Sequence, residues 1–177
     1  MEKKEKWLVA LAAGAAAAGV TYALWPKSKI PRNAIVQPFD KQKYMGLWHE
    51  VARLPNNIQK KLKNLTDEYS LNADGSIKVV TRAYDFDKNK PVEATARGRF
   101  VGPGSRGKIK VAYVLPIYLD YNILDIDDGY NYALVSGNSL NHLWIISRDN
   151  AIPAGIRERF LAKATSLGFD VSKLEWM

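Results

Sequence analysis

The chain has 177 residues, a net charge of +8 and no cysteine. This length predicts one globular domain, and the lack of cysteine excludes disulfides, thiolate nucleophiles, thiolate-bound zinc and a lipid-modified cysteine. Half of the net charge lies in residues 1–32 and the other basic residues are scattered, so we expect no nucleic-acid partner.

The chain begins with an apolar segment. Residues 7–25 carry no charge, have Trp at both ends and are flanked by basic residues. As a helix this segment would span about 28 Å, close to the thickness of a bilayer core, and Trp is typical of membrane interfaces. We therefore predict a membrane anchor at 1–25, with a cleaved signal peptide and a secreted product as the alternative. The prolines of residues 26–38 predict a linker.

Eight short segments of alternating polarity follow, with turn signals between them. They are GLWHEVARL (46–54), LTDEYSLN (65–72), SIKVVTRAYD (76–85), VEATARGRF (92–100), GKIKVAYVL (107–115), YNILDID (121–127), YNYALVSG (130–137) and HLWIISRD (142–149). Closely spaced strands without intervening helices predict an all-β antiparallel barrel or sandwich.

One amphipathic helix follows the strands. Apolar residues recur at helical spacing at Ile156, Phe160, Ala164 and Leu167, and Gly168 follows the end of the pattern. The apolar stripe of this helix needs a surface to cover, so we expect it on the outside of the barrel. The last residues, SKLEWM (172–177), are a candidate for a short closing strand.

Alternation assigns the two faces of each strand, because successive side chains point to opposite sides. With charged residues placed outward, the inward set is Ile77, Val79, Thr81, Ala83, Ala94, Ala96, Gly98, Phe100, Ile109, Val111, Tyr113, Leu115, Asn122, Leu124 and Ile126. Many of these side chains are small, and an eight-stranded barrel can enclose one small ligand.

The first and eighth strands predict a closed end. Trp48, Glu50 and Ala52 share one face of the first strand, and His142, Trp144, Ile146 and Arg148 share one face of the eighth. In an antiparallel barrel Trp48 and Arg148 meet at the same end, where they can form a cation–π pair. The loops at 55–64, 85–91, 116–120 and 138–141 then surround the mouth at the other end. Ile117, Tyr118 and Leu119 would form an apolar lip there, which contacts a membrane or gates ligand entry.

Three stretches carry a family resemblance. YMGLWHEVARL (44–54) resembles the Gly-x-Trp signature of lipocalins. YNYALVSGNSLNHLWIISRD (130–149) and LAKATSLGFDVSKLEW (161–176) resemble the last strands and C-terminal helix of the bacterial lipocalins related to apolipoprotein D. The resemblance covers the chain from Phe39 to Trp176 and implies an up-and-down calyx of eight strands in a lipocalin domain at 39–177. It also implies that Gly46, Trp48 and Arg148 are structural.

The resemblance further implies a lipid ligand. The bacterial subgroup is associated with fatty acids and lysophospholipids in the cell envelope, so we expect such a ligand and a barrel outside the cytoplasm. Many subgroup members are anchored through a lipid-modified cysteine, which this chain lacks, so an uncleaved helix at 7–25 would provide the tether. The candidate ligand contacts, taken from the inward set and the eighth strand, are Val79, Thr81, Ala96, Val111, Tyr113, Asn122, Leu124, His142 and Trp144.

No enzyme, metal or cofactor is expected. The two histidines, His49 and His142, lie at unrelated positions, and no Ser-His-Asp arrangement can be placed. Three alternatives stay open: a lipid-modifying enzyme using Glu50 or His142 as acid–base, a haem or pigment binder with His142 as axial ligand, and an interaction module with a closed, dry barrel.

Overall fold

The structure is a computed structural model, and it describes residues 28–57, 59–102, 104, 106–115 and 117–177. The anchor predicted at 7–25 lies outside these residues. Within them, no helix combines the length and apolar character needed to cross a bilayer.

Strands form most of the described chain. The strands are β1 (Gly46–Arg53), β2 (Leu62–Leu71), β3 (Ile77–Asp85), β4 (Lys90–Phe100), β5 (Lys108–Val114), β6 (Ile117–Ile126), β7 (Tyr132–Ser136), β8 (Leu143–Ser147) and β9 (Glu175–Trp176). The helices are α1 (Lys41–Tyr44) and α2 (Ala154–Ser166), with 3-10 turns at Arg32–Ala34 and Val171–Lys173.

The strands close into the predicted barrel. Each of β2 to β7 pairs antiparallel with the next strand, and β1 pairs with both β2 and β8. Because β1 joins the two ends of the sheet, the eight-stranded up-and-down barrel is confirmed. The short β9 pairs antiparallel with Ala52 and Arg53 of β1. The C-terminal residues therefore form a short strand as predicted, but β1 closes the barrel and β9 does not.

The sixth strand is longer than expected. It begins at Ile117, and Leu119 pairs with Val111 of β5. The apolar lip predicted as a loop is therefore the start of β6. Its apolar character remains, since Val114, Leu115 and Leu119 are among the exposed large hydrophobic residues.

One end of the barrel is closed as predicted. The Arg148 guanidinium carbon lies 3.8 Å from the centroid of the fully buried Trp48 ring. The Trp48 indole N–H donates to the Tyr44 carbonyl at 2.8 Å. The Arg148 guanidinium group also donates to the carbonyls of Lys43, Tyr44, Met45, Leu47 and Tyr130. This end therefore acts as a plug that fixes the chain before β1 against the end of β8.

Helix α2 packs on the outside of the barrel. Its Phe160 and Ala164 are completely buried, in a cluster that includes Leu143 and Ile145 of β8. Gly168 follows the helix with a φ of +90°, the left-handed conformation that glycine adopts most readily. The predicted stripe and the predicted end of the helix are both confirmed.

The described part of the predicted linker also packs on the barrel. Ile30, Ala34 and Ile35 are buried in the same cluster as α2. The Lys29 N–H donates to the Asn138 carbonyl in the β7–β8 loop at 2.8 Å, and the Val36 N–H donates to the Ile123 carbonyl at 2.9 Å. The segment thus runs from the β7–β8 loop towards the closed end and is held by backbone hydrogen bonds.

Candidate ligand-binding cavity

The barrel encloses a cavity of about 350 Å³ that reaches the loops at the mouth. Its wall comes from β1, β2, β3, β5, β6 and β8, and the two mouth loops contribute Asn56, Gln59, Gly137 and Asn138. This volume lies at the lower end of the range for small-molecule sites, about 300–1,000 Å³. The barrel interior is therefore open enough for one small ligand.

Five of the predicted ligand contacts lie on the cavity wall. They are Val79, Val111, Tyr113, His142 and Trp144. Thr81 and Ala96 point inward but are not part of this wall: the Thr81 hydroxyl is 2.9 Å from that of Tyr113, and Ala96 is buried among Val79 and Val111.

The inward direction expected for Asn122 and Leu124 is wrong. Leu119 and Tyr121 line the cavity instead, and Ile123 lies in the interior cluster. The Asn122 amide donates to the Gly137 carbonyl at 2.8 Å, and Leu124 lies in the cluster covered by α2.

A bulge explains this correction. The pairing of β6 with β7 shifts between Ile123 and Asp125, so an extra residue interrupts the alternation. Asp125 points outward, as predicted, and contacts Arg159 of α2. Counting back from Asp125 in steps of two crosses the bulge and therefore assigns the wrong face to the earlier residues.

A second bulge supplies the partner of Glu50. The pairing of β1 with β8 shifts between Glu50 and Ala52, which moves Ala52 to the cluster under α2 and turns Arg53 inward. Arg53 Nη1 lies 2.7 Å from Glu50 Oε1, and both side chains are almost fully buried. Strict alternation places residues 50 and 53 on opposite faces, so this pair could not be predicted from alternation.

Burial and Arg53 have opposite effects on the pKa of the Glu50 carboxyl group. Burial raises the pKa of Glu50 to about 7, although the Arg53 charge and hydrogen bond lower it. Arg53 is itself held by the carbonyls of Gln59 and Leu62, at 2.9 and 3.1 Å. The pair is therefore fixed between β1 and the loop at the mouth.

Gln59 connects this pair to the cavity wall. Its side-chain oxygen accepts from the Trp144 indole N–H at 2.9 Å and from the Asn56 amide at 2.7 Å. Its amide nitrogen lies 3.4 Å from Glu50 Oε2. The loop after β1 is thus positioned over the cavity by hydrogen bonds to both β1 and β8.

A second carboxyl, Asp67, faces the cavity from β2. Asp67 Oδ1 accepts a hydrogen bond from the Thr81 hydroxyl. Burial raises the pKa of Asp67 to about 6, and the Thr81 hydrogen bond lowers it only partly. The sequence analysis did not assign an inward and an outward face to β2. Tyr69, an aromatic residue two positions after Asp67 that lies in the interior cluster, was the signal that could have placed Asp67 on the inner face.

Three tyrosine hydroxyls lie together beyond Asp67. The hydroxyls of Tyr44 and Tyr121 are 2.7 Å apart, and the Tyr69 hydroxyl donates to that of Tyr121 at 2.9 Å. Burial raises the pKa of each phenol, so all three are neutral at physiological pH. They satisfy one another's hydrogen bonds near the closed end.

His142 lies at the mouth side of the wall. Its ring stacks on Trp144 with centroids 6.1 Å apart, and Nδ1 is 3.0 Å from the Ser139 hydroxyl. Burial lowers the pKa of His142, which favours the neutral ring. Among the described residues, no group of three or more His, Cys, Asp or Glu side chains is arranged to hold a metal ion.

Comparisons of the sequence with a family model and with known proteins point to the same family. Residues 39–177 match the family model described as a lipocalin-like domain. The outer membrane lipoprotein Blc of Escherichia coli strain K12 is 34% identical over 170 residues, covering 96% of both chains. Bovine (Bos taurus) apolipoprotein D is 25% identical over 154 residues, covering 82% of this chain and 80% of the relative.

A solved structure agrees with this at the level of the fold. H1 crustacyanin from the lobster Homarus americanus aligns with a TM-score of 0.67 at 17% identity, covering 90% of this chain and 92% of the other. The barrel, the Trp48–Arg148 plug and the family model agree, and the chain belongs to the lipocalin family.

Proposed function

We propose that this lipocalin binds one single-chain lipid in its cavity and stores or carries it in the cell envelope. The observation that carries the proposal is the cavity itself, closed at one end by Trp48 and Arg148 and walled by Val79, Val111 and Ile146. Each buried methylene contributes about 0.8 kcal/mol, so a chain of about ten carbons provides ample binding energy. Fatty acids and lysophospholipids are the candidate ligands.

The envelope location is supported by the relative. The Escherichia coli protein is an outer membrane lipoprotein, whereas this chain has no cysteine to carry a lipid. We propose that residues 7–25 provide the tether and that the barrel lies outside the cytoplasm.

The path of the chain suggests how a tethered barrel would be oriented. Lys29, the second described residue, donates a backbone hydrogen bond to Asn138 in a mouth loop, so the described part of the chain begins at the mouth end of the barrel. Val114, Leu115 and Leu119 are exposed at the same end, with Leu115 at 60%. Exposed apolar residues beside a tether favour a mouth that faces the membrane, where a lipid could enter directly.

A binding role suits the polar groups of the cavity better than a catalytic one. The Glu50 carboxylate is paired with Arg53 at 2.7 Å, and the neutral His142 ring is stacked on Trp144 and bonded to Ser139. Glu50 and His142 are the two residues that could serve as acid–base groups, and both are engaged in contacts with other protein side chains.

The first test is native mass spectrometry of the full chain, purified without added lipid. A co-purified mass of a fatty acid or lysophospholipid supports the proposal. A bare protein that stays bare after incubation with both lipid classes contradicts it.

The second test compares two tryptophans. We expect Trp144→Ala to weaken binding of lysophosphatidylcholine at least about tenfold, because it removes apolar wall and the anchor for Gln59. Trp176→Ala is the matched control, since Trp176 lies outside the barrel against Arg157. Isothermal titration calorimetry measures both, and equal affinities in the two variants would contradict the assigned wall.

A further inference from the structure

Asp67 differs from the other acidic groups of the cavity wall. The wall includes the carboxyl groups of Glu50, Asp67 and Asp120. Glu50 pairs with Arg53 at 2.7 Å, and Asp120 lies 3.8 Å from Lys110. Asp67 forms no ion pair with any Lys or Arg of the described residues, and its carboxyl group accepts a hydrogen bond from the Thr81 hydroxyl.

The cavity wall contains no compensating cation. No Lys or Arg is among the described residues that line it, and burial favours the neutral form of His142. The phenol groups of Tyr113 and Tyr121 face Asp67, and burial raises the pKa of both, so they add no charge. An occupied cavity therefore places the ligand beside one carboxylate that no protein cation neutralises.

This arrangement discriminates among ligand head groups. A ligand with a carboxylate head group would lose the hydration of that group in the cavity and bring it close to the like charge of Asp67. Both effects are unfavourable. A hydroxyl or ammonium group can donate to the carboxylate, and hydrogen bonds to charged groups are about twice as strong as neutral ones. Asp67 Oδ2 accepts no hydrogen bond from the described residues and is available for this bond.

We propose that the cavity selects single-chain amphiphiles with a hydroxyl or ammonium head group over carboxylates, and that Asp67 accepts the head-group hydrogen bond. The inference rests on the proposed lipid binding and, within it, disfavours the free fatty-acid anion. Asp67 is opposite Trp48 in the β1–β2 pairing, so the head group points towards the closed end. The alkyl chain of the ligand then extends towards Trp144 and towards the exposed Leu115 and Leu119 at the mouth.

The test uses three probes with the same chain: dodecylamine, 1-dodecanol and sodium dodecanoate. Affinities of the full-length protein, held in an uncharged amphipol, are measured by calorimetry at pH 8. The concentrations stay below the micelle concentrations of dodecylamine and dodecanoate and below the solubility limit of dodecanol. We expect dodecylamine to bind at least about tenfold more tightly than dodecanoate, with dodecanol between them.

Two variants assign the effect to Asp67. Asp67→Asn should remove most of the difference between dodecylamine and dodecanoate. Glu68→Gln is the matched control: this neighbouring side chain is exposed and pairs with Arg82 on the outer face, so its variant should keep the wild-type order.

The possible outcomes separate the two proposals. Dodecanoate as the tightest wild-type ligand would overturn the inference and leave lipid binding intact, as would an unchanged order in Asp67→Asn. No binding of any probe would overturn both. Should Asp67→Asn fail to fold, the order of affinities in the wild type still decides.

Discussion

Replacing Arg148 tests the closed end of the barrel. Arg148→Leu keeps apolar volume over Trp48 but removes the charge and five donated hydrogen bonds, three of which are 2.8 Å or shorter. The cation–π contact contributes about 0.5–2 kcal/mol, and each well-formed hydrogen bond about 1 kcal/mol net. We therefore expect a loss of about 4 kcal/mol in the free energy of unfolding.

The assay is urea denaturation followed by circular dichroism, with a thermal melt as a second measure. For a domain of this size about 4 kcal/mol corresponds to a fall of about 10 °C in Tm. The Tm of Arg148→Lys should lie between those of the wild type and Arg148→Leu, because an ammonium group keeps the charge but not the planar set of donors.

Arg82→Leu is the control for Arg148→Leu. Arg82 is exposed and pairs with Glu68 and Glu93 at 2.9 Å, and such surface pairs contribute about 0–1 kcal/mol. If Arg148→Leu cost no more than Arg82→Leu, the plug would not stabilise the barrel and the reasoning would be refuted.

Three further predictions concern stability. Phe160→Ala should cost about 3–5 kcal/mol in urea denaturation, because this ring of α2 is fully buried against the barrel; a cost below about 1 kcal/mol would mean that α2 does not cover the core. Gly46→Ala should lower Tm, because Gly46 has a φ of +99° and an added Cβ would lie 3.3 Å from Arg148 Nη1; an unchanged Tm would contradict this. Burial raises the pKa of Asp67 from 3.8 to about 6, so the folded state binds the proton more tightly and stability should fall as pH rises from about 4 to 6, by at most about 3 kcal/mol. Thermal melts should show a smaller fall in Asp67→Asn than in the wild type; equal falls would assign the effect to other groups, such as Glu50.

Much of the fold could be predicted because its signals are local. Alternating polarity identified the eight strands, and the spacing of Phe160 and Ala164 identified the buried face of α2. The contact between Trp48 and Arg148 joins residues a hundred positions apart. It was still predictable, because antiparallel topology brings the start of the first strand to the end of the eighth.

The candidate site was only partly accessible to the same reasoning. Val111, Tyr113 and Trp144 lie on the cavity wall where alternation placed them. Asn122 and Leu124 do not, because the shift between Ile123 and Asp125 depends on how β6 pairs with β7. A bulge is a property of two strands together, and the sequence of either strand alone does not show it.

The sequence by itself determined the number of strands, their order around the barrel, the helix and the closed end, since each follows from periodicity and chain direction. The tertiary structure alone decided which charged groups face the cavity. Arg53 turns inward beside Glu50 because of a bulge, whereas Asp67 is left without a cation because no basic side chain of the described residues reaches it through the barrel wall. Charge balance in an enclosed space depends on distances across the barrel, and those distances exist only after the strands have closed.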